Sequence, residues 1–470
     1  MDLLQLSDGL VTDVSQFLMK DGALAISINV HGDTVGDLTG RTGYSVLGTA
    51  GGAAVYGLKS YGDITGGTVR LFRAVNGDIS YWTGAAWTTV TTYTPVTAQI
   101  SMTVFVDQLF VVGATTAGNF ITPINIDGVT ASTSTNLTSA PSAKFCEEFM
   151  DQIYFANCLV GATRYPSRLY RSSIPDITGA AITWPSTNWD QISTNNGEEI
   201  TGLHKNRALQ QLLIFKDSSF HSWDGTRIKD VGSVGTSNFR SVVTINFTTY
   251  FYSARDGVYG YSGVDPKLLS RGIDKWVKGI VDPTKAHAVG EAGRIYKLYV
   301  GDCLVDGKTY TNCEMRYSIM DNTWTIYSYY DDFTVYADHK TSGVTRVYAG
   351  TVGGNVHQMA RSNDSVYSDD GHEISCEFMT IPLDMEQPAN RKAVDRVMIY
   401  AEKPQNLQGR MRAKDCDWST WFPVDKSVQA VNVNPRDANF LQFHFSESST
   451  NSPLVFNGLS CSGNITSKST

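Results

Sequence analysis

A chain of 470 residues exceeds what one ordinary hydrophobic core supports, so it holds two or three domains, or one large repeat-built domain with a companion. Charged residues make up 18%, while 42 glycines, 23 tyrosines and abundant Thr and Ser suit pleated sheets joined by tight turns and suit long helices poorly. A net charge of -8 argues against a basic surface that grips nucleic acid, and no stretch approaches the about 18 uninterrupted apolar residues of a membrane span.

The first residues, Met1 to Ser7, lack a basic stretch followed by an apolar run, so no signal peptide is expected. Asp13 to Met19 reads as a short helix. The strand Ala23–Val30 is expected to close a ring of blades by pairing with the segment from Thr345 to Met359.

Further along, one loose pattern recurs: a short apolar strand, a polar turn, then a second strand carrying an aromatic residue. Its clearest copies are Leu212–Asp217 running into Phe220–Gly225, and Thr249–Ser253 running into Gly257–Gly263. The middle of the second strand falls near Tyr81, Ile124, Tyr170, Trp223, Tyr261, Tyr317 and His357, at intervals of 43, 46, 53, 38, 56 and 40 residues. Blades of four short strands repeat at about 40–50 residues. The fold class expected is therefore all-β, a β-propeller of seven blades over residues 46–362, preceded by a segment 1–45. Ile124 is the least marked landmark, which leaves six blades as the alternative.

A short helix is expected at Ile273–Gly279, starting near Ser270. The polar stretches Ser362–Ser365 and Ser368–Gly371 mark the end of the propeller. Beyond them, Glu373–Met379, Ala393–Tyr400 and Asn439–Phe445 alternate polar and apolar residues and read as strands of a C-terminal β-sandwich over 372–470. The small polar tail from Ser460 to Thr470 is expected to fray unless a partner covers it.

No reaction centre emerges from the sequence. There is no Gly-x-Ser-x-Gly, His-Glu-x-x-His or phosphate-binding Gly-x-x-x-x-Gly-Lys-Ser/Thr. The carboxylate neighbours Glu147/Glu148, Glu198/Glu199 and Asp331/Asp332 would point to opposite faces of a strand, a poor geometry for a paired acid and base. The cysteines Cys146, Cys158, Cys303, Cys313, Cys376, Cys416 and Cys461 are odd in number and scattered, and read as reduced thiols rather than a disulfide frame or a zinc site. No catalytic residue, metal ligand or cofactor is assigned. Asp415–Trp421 lacks the glycine of the aspartate turn that marks sialidase propellers. Trp223-Asp224-Gly225 makes a turn without the Gly-His of repeat scaffolds. Tyr327, Tyr329, Tyr330 and Tyr336, or Trp82 with Trp87, read first as packing between blades and second as a sugar-binding surface. The Asn136 and Asn464 glycosylation patterns read as chance matches.

Three places carry a family likeness. Asn29-Val30 is followed by Gly36-Asp37-Leu38 and Arg41-Thr42-Gly43-Tyr44. Ser237–Val243 leads through Thr249–Ser253 and Asp256-Gly257-Val258-Tyr259 to Leu269-Ser270 before Ile273. The C-terminal β-region holds Ala393–Tyr400 and Asp417-Trp418-Ser419-Thr420-Trp421. This organisation resembles the tail hub or nozzle proteins of short-tailed bacteriophages, including the packaged-DNA stabilisation type, although the spacing of the first motif departs from theirs. The resemblance implies a non-enzymatic virion protein, made in the bacterial host cytoplasm and built into the tail. It would form a homo-oligomeric ring, a hexamer, below the portal and adaptor, contacting other tail proteins. The ring would retain packaged DNA and pass it during ejection without sequence-specific binding or membrane insertion. The alternatives are a peripheral receptor- or glycan-binding propeller of the tail, and a propeller glycosidase.

Overall fold

The computed structural model describes residues 4–468 except 7, 13–18, 20–21, 33–35, 64–65, 94–99, 115–118, 135–136, 175–181, 194–196, 342, 384–389, 403, 414–416, 433–439 and 450–451. Seven four-stranded antiparallel meanders follow one another. Blade one uses Val55–Gly62, Val69–Val75, Asp78–Trp82 and Trp87–Thr92, and blade two uses Ile100–Phe105, Gln108–Gly113, Ile124–Asp127 and Ser132–Ser134. Blade three spans Ser142–Phe149 to Trp189–Gln191, blade four Gly202–Asn206 to Ile228–Gly232, and blade five Val243–Ile245 to Lys267–Leu268. Blade six comprises His287–Glu291, Ile295–Val305, Lys308–Ser318 and Thr323–Ser328. Blade seven takes Phe333–Thr341, Val344–Thr351 and Val356–Met359 from one end of the repeat and its outer strand, Tyr44–Val46, from the other. The first strand of each blade stands beside that of the next, and blade seven's meets blade one's, so the ring closes.

The sequence explains why the blades stack. Strands such as Leu109–Val112 and Leu212–Phe215 are apolar on every position, because both faces are covered. Alternation then sends neighbouring residues to different cores. Leu109 and Val111 pack against Tyr61 and Phe72 of blade one, whereas Phe110 and Val112 pack against Ile153 and Phe155 of blade three. The same division recurs between every consecutive pair of blades, ending with Val335, Tyr348 and Val356 of blade seven on Val55 and Leu71 of blade one. Each of the seven sequence landmarks lies on the third strand of its blade.

The second body is a β-sandwich. One sheet orders Val30–Gly32, Leu38–Gly40, Val455–Lys468, Asn390–Glu402 and Val428–Asn432. The other runs Leu24–Ile28, Ile374–Thr380, Leu441–Ser449, Gln408–Ala413 and Phe422–Pro423. That second sheet continues into blade six, since Ile28 pairs in parallel with Ile326 on the blade's outer strand. Phe378, Phe445 and Phe456 form the aromatic centre of its core, with ring centroids 5.0 Å apart.

Two expectations need correction. The closing strand is Tyr44–Val46, not Ala23–Val30. Leu24 is wholly buried in the sandwich and Ile28 in the core of blade six, so that strand requires partners on both edges and finds them in blade six and Ile374–Thr380. The residues from 24 to 40 therefore complete the sandwich rather than the propeller. The tail has the cover on which its order was expected to depend: Val455–Lys468 is one long strand paired with Asn390–Glu402 on one side and Leu38–Thr39 on the other. The expected helix at Ile273–Gly279 appears as Asp274–Lys278 after a 3-10 turn at Ser270–Ile273. The one expected at Asp13–Met19 lies outside the described residues except for Met19, as do Cys416 and the side chains of Asn136 and Asn464.

Candidate functional site

The junction between propeller and sandwich is held by Arg41. Its five N–H groups are all engaged: Nη1 and Nη2 form a bidentate pair with Asp369 at 2.7 and 2.6 Å, Nε donates to Asn29 Oδ1 at 2.8 Å, and the remaining donors reach Thr42 O and Ser328 O. The guanidinium lies over the Tyr329 ring at 4.4 Å. Both charged side chains are 2% exposed. Burial alone would lower the Arg41 pKa, but Asp369 outweighs it and raises it above the ordinary arginine value. Asn29 sits at φ 60° in the left-handed region, which asparagine tolerates, and there its side chain accepts from Ser328 N and donates to Ser375 O. Two residues of the sequence's first motif thus tie the outer strand of blade six, the hairpin of the sandwich and the 360–373 connection to one another.

A second polar centre lines the propeller axis, where the first strands of all seven blades enclose a cavity of ≈ 810 Å³. Arg240, on the turn leading into blade five, crosses it. Nη1 donates to Thr334 O at 3.2 Å, and Nη2 donates to Ile100 O at 3.0 Å and to Tyr56 O, so one side chain ties blades seven, two and one. Removal from bulk water lowers this guanidinium to about 9. Deeper in the cavity, Glu147 accepts from Thr103 Oγ1 at 3.0 Å and lies 3.3 Å from Lys205 Nζ. Burial would raise Glu147, but Lys205, Lys59 and His204 hold it down at about 2. Burial, helped by Lys205 and Lys59 and opposed by Glu147, lowers His204 to about 4, so the imidazole is neutral; it bonds to Thr244 Oγ1 at 2.9 Å. Thr244 also bonds Thr249 at 2.8 Å, so the hydrogen-bonded network runs from His204 through two threonines of blade five.

The third centre is a groove of ≈ 400 Å³ between blade six and the sandwich. Lys308 Nζ donates to Glu377 Oε2 at 2.7 Å, His444 Nε2 lies 2.9 Å from Glu377 Oε1, and Arg410 donates to His444 Nδ1 at 2.9 and 3.1 Å. These contacts fix the imidazole with its proton on Nε2. Burial pushes Glu377 up, yet His444 and Lys308 hold it at about 2. Arg410 lies over Trp418 and Trp421 at 4.9 and 4.6 Å, and Trp276 meets Tyr310 at 4.9 Å.

The sequence candidates fall out as follows. Tyr327, Tyr329 and Tyr336 are buried between blades six and seven, which removes them from any sugar-binding surface; Tyr330 is exposed and stacks on His372. Trp82 and Trp87 contact each other at 5.4 Å, with Trp87 Nε1 donating to Leu47 O and Arg73 over its ring. Asp331 and Asp332 diverge as expected, to Tyr44 and to Tyr299 with Lys285. Glu147 and Glu148 do not diverge fully, because the long Lys205 side chain spans the strand and meets both. Among the described residues no group of three His, Cys, Asp or Glu is placed to hold a metal ion, and no helix is long and apolar enough to cross a membrane. Arg240 and the Lys308–Glu377–His444–Arg410 chain were not legible in the sequence, since their partners lie in distant strands.

These features define the class: a seven-bladed β-propeller fused through blade six to a β-sandwich. No family model and no curated protein matches the chain. Among solved structures it is similar to BamB from Moraxella catarrhalis, with 15% identity and a TM-score of 0.36 over 77% of this chain and 99% of that one. A likeness at that level carries no argument, and the fold stands on the strand pairing above.

Proposed function

We propose that the chain is a structural, non-enzymatic component of a bacteriophage tail: a hub or nozzle subunit that assembles as a closed ring below the portal and adaptor, retains packaged DNA and forms part of its exit path. The observation that carries this reading is the Arg41 clasp. The motif bearing the family resemblance, Asn29 with Arg41, is the residue set that locks propeller and sandwich together. A ring subunit under internal pressure needs two domains that do not hinge, and a buried bidentate pair plus a sheet continuous with blade six supplies that. The net charge of -8 fits a wall past which DNA slides without sticking. Mass spectrometry and imaging of purified particles test the proposal. A ring of this protein at the tail is expected, and a protein found only free in infected cells and absent from particles would end it. The second reading, a peripheral receptor- or glycan-binding component, draws its support from the aromatic groove beside the sandwich.

A further inference from the structure

We propose that the groove between blade six and the sandwich is a saccharide-binding site. The inference rests on the second reading above and gives it a place and a ligand chemistry.

The groove's volume of ≈ 400 Å³ lies within the about 300–1,000 Å³ of small-molecule sites, and it sits at a domain junction, where such sites concentrate. Its walls combine aromatic faces with hydrogen-bonding groups. Tyr310 comes from the propeller side and Trp418 from the sandwich, both half-buried, while Trp276, 2% exposed and packed against Tyr310, belongs to the core beneath. Aromatic rings offer an apolar face to the C–H surface of a sugar ring, and the charged groups between them meet hydroxyls.

The charges favour a polyhydroxyl ligand over other occupants. Lys308 faces Glu377 and Lys275 faces Asp306, so most of the charge in the groove is already compensated. A nucleic acid needs a run of uncompensated cations. An apolar helix or strand needs a continuous apolar floor, and here it is interrupted by Lys308, Glu377, Arg410 and His444. A hydroxyl uses both signs at once, accepting from an ammonium and donating to a carboxylate. Lys308 Nζ makes one hydrogen bond to Glu377, and each Glu377 oxygen accepts one bond, so both keep capacity for a ligand. The mutual bonds of Lys308, Glu377, His444 and Arg410 orient these groups before any ligand arrives, which lowers the entropic cost of binding. The rim is open: Lys275, Asp306 and Lys308 side chains are 53%, 74% and 55% exposed.

The test uses the full-length protein on an array of immobilised neutral and acidic bacterial-surface saccharides, followed by tryptophan-fluorescence titration with the best-retained saccharide. Wild type is expected to retain one saccharide class. Trp418→Ala and Glu377→Gln should each weaken its apparent affinity about tenfold, and Trp418→Phe should restore most of it. Lys275→Ala and Asp306→Asn alter exposed rim residues and should weaken binding severalfold even if the buried substitutions fail to fold. Retention of no saccharide, or retention that all the groove variants leave unchanged, overturns the proposal. Location in the particle is a separate measurement, so a saccharide-free result with the protein present at the tail sinks the groove and leaves the ring reading standing.

Discussion

Arg41→Met is the sharpest perturbation of the junction. Methionine keeps an apolar side chain over Tyr329 but removes five N–H donors at once. Asp369, 2% exposed, is then left with the Tyr330 amide at 3.1 Å as its remaining contact near the junction, and Ser328 O and Thr42 O lose a donor each. Stranding one member of a buried ion pair costs about 3–5 kcal/mol. Asp369→Leu should cost a similar amount. The double variant should lose far less than the sum, because no buried charge remains uncompensated. A two-domain chain of this size does not unfold in one step, so a melting temperature is a poor readout. Native-state amide exchange is better: protection should fall at residues 28–30, 328–330 and 369–375 and stay unchanged in blades two to four. Unchanged protection at those amides in Arg41→Met, or a double variant as damaged as the two singles added, would refute the clasp.

Three further outcomes follow from the polar centres. Arg240→Met removes charge-assisted bonds to three carbonyls on blades one, two and seven, so it should lower stability by about 2 kcal/mol or more and raise exchange at the start of those first strands; a neutral effect would show that the ring closes without it. Glu447 is buried and raised to about 7 by that burial, against an ordinary value of 4.5, so the folded state holds a proton that the unfolded state has lost between those values. That contribution is lost as pH rises from 4.5 to 7, while the buried neutral His31, His204 and His287 contribute in the opposite sense up to 6.5, so Glu447 is read as a difference: between pH 5 and 8 wild type should lose up to about 3 kcal/mol relative to Glu447→Gln in denaturant unfolding, and parallel pH profiles of the two proteins would refute it. Glu147 and Glu377 shift the other way, to about 2, so their stabilisation is full above 4.5 and disappears as pH falls toward 2. The Glu147→Gln/Glu377→Gln double variant should be less stable at pH 7 and show a flatter acid limb, and an acid limb identical to wild type would contradict the assignment.

Much of the propeller was legible because its signal is local. A strand covered on both faces must be apolar throughout, and the third strand of each blade carries its landmark: Tyr81, Tyr170, Trp223 and Tyr261 mark blades one, three, four and five in this way. Even Ile124, with no aromatic ring, lies on the third strand of blade two. The sandwich was legible only in part. Ile374–Thr380 and Leu441–Ser449 show a two-residue period, but their neighbour Leu24–Ile28 is contributed from the opposite end of the chain, and no local pattern announces such a pairing. The closing strand is short, with Tyr44 buried and Ser45 and Val46 exposed, and it carries less periodicity than Ala23–Val30. The three polar centres were hidden for a related reason. Arg41 and Asp369, Arg240 and Thr334, and Glu377 and His444 become neighbours only after the ring and the sandwich form. The quoted motifs did fall on two of these centres, at Asn29 with Arg41 and at Trp418, but their partners were unreadable.

The weave of the chain explains why the junction bears so much of the polar structure. The propeller repeats run in sequence order, yet the segment before them supplies the sandwich strands at 24–40 and the closing strand of blade seven, while the segment after them supplies the rest of the sandwich. Residues 360–373 are therefore not a free linker: Asp364 is paired with Arg346 and Asp369 with Arg41, so this connection is pinned to blade seven and to the junction. Closing the ring and completing the sandwich become one event, because both depend on the same stretch from Leu24 to Val46. That concentrates the ordering on blades six and seven. The outer strands of blades one to five keep half-exposed or exposed residues along their length, including Trp87–Thr92, Ser132–Ser134 and Lys267–Leu268. An open strand edge is a hazard unless it is short or covered. Those of blades two and five are short, and that of blade one is rich in Thr, with its Trp87 Nε1 donating to Leu47 O.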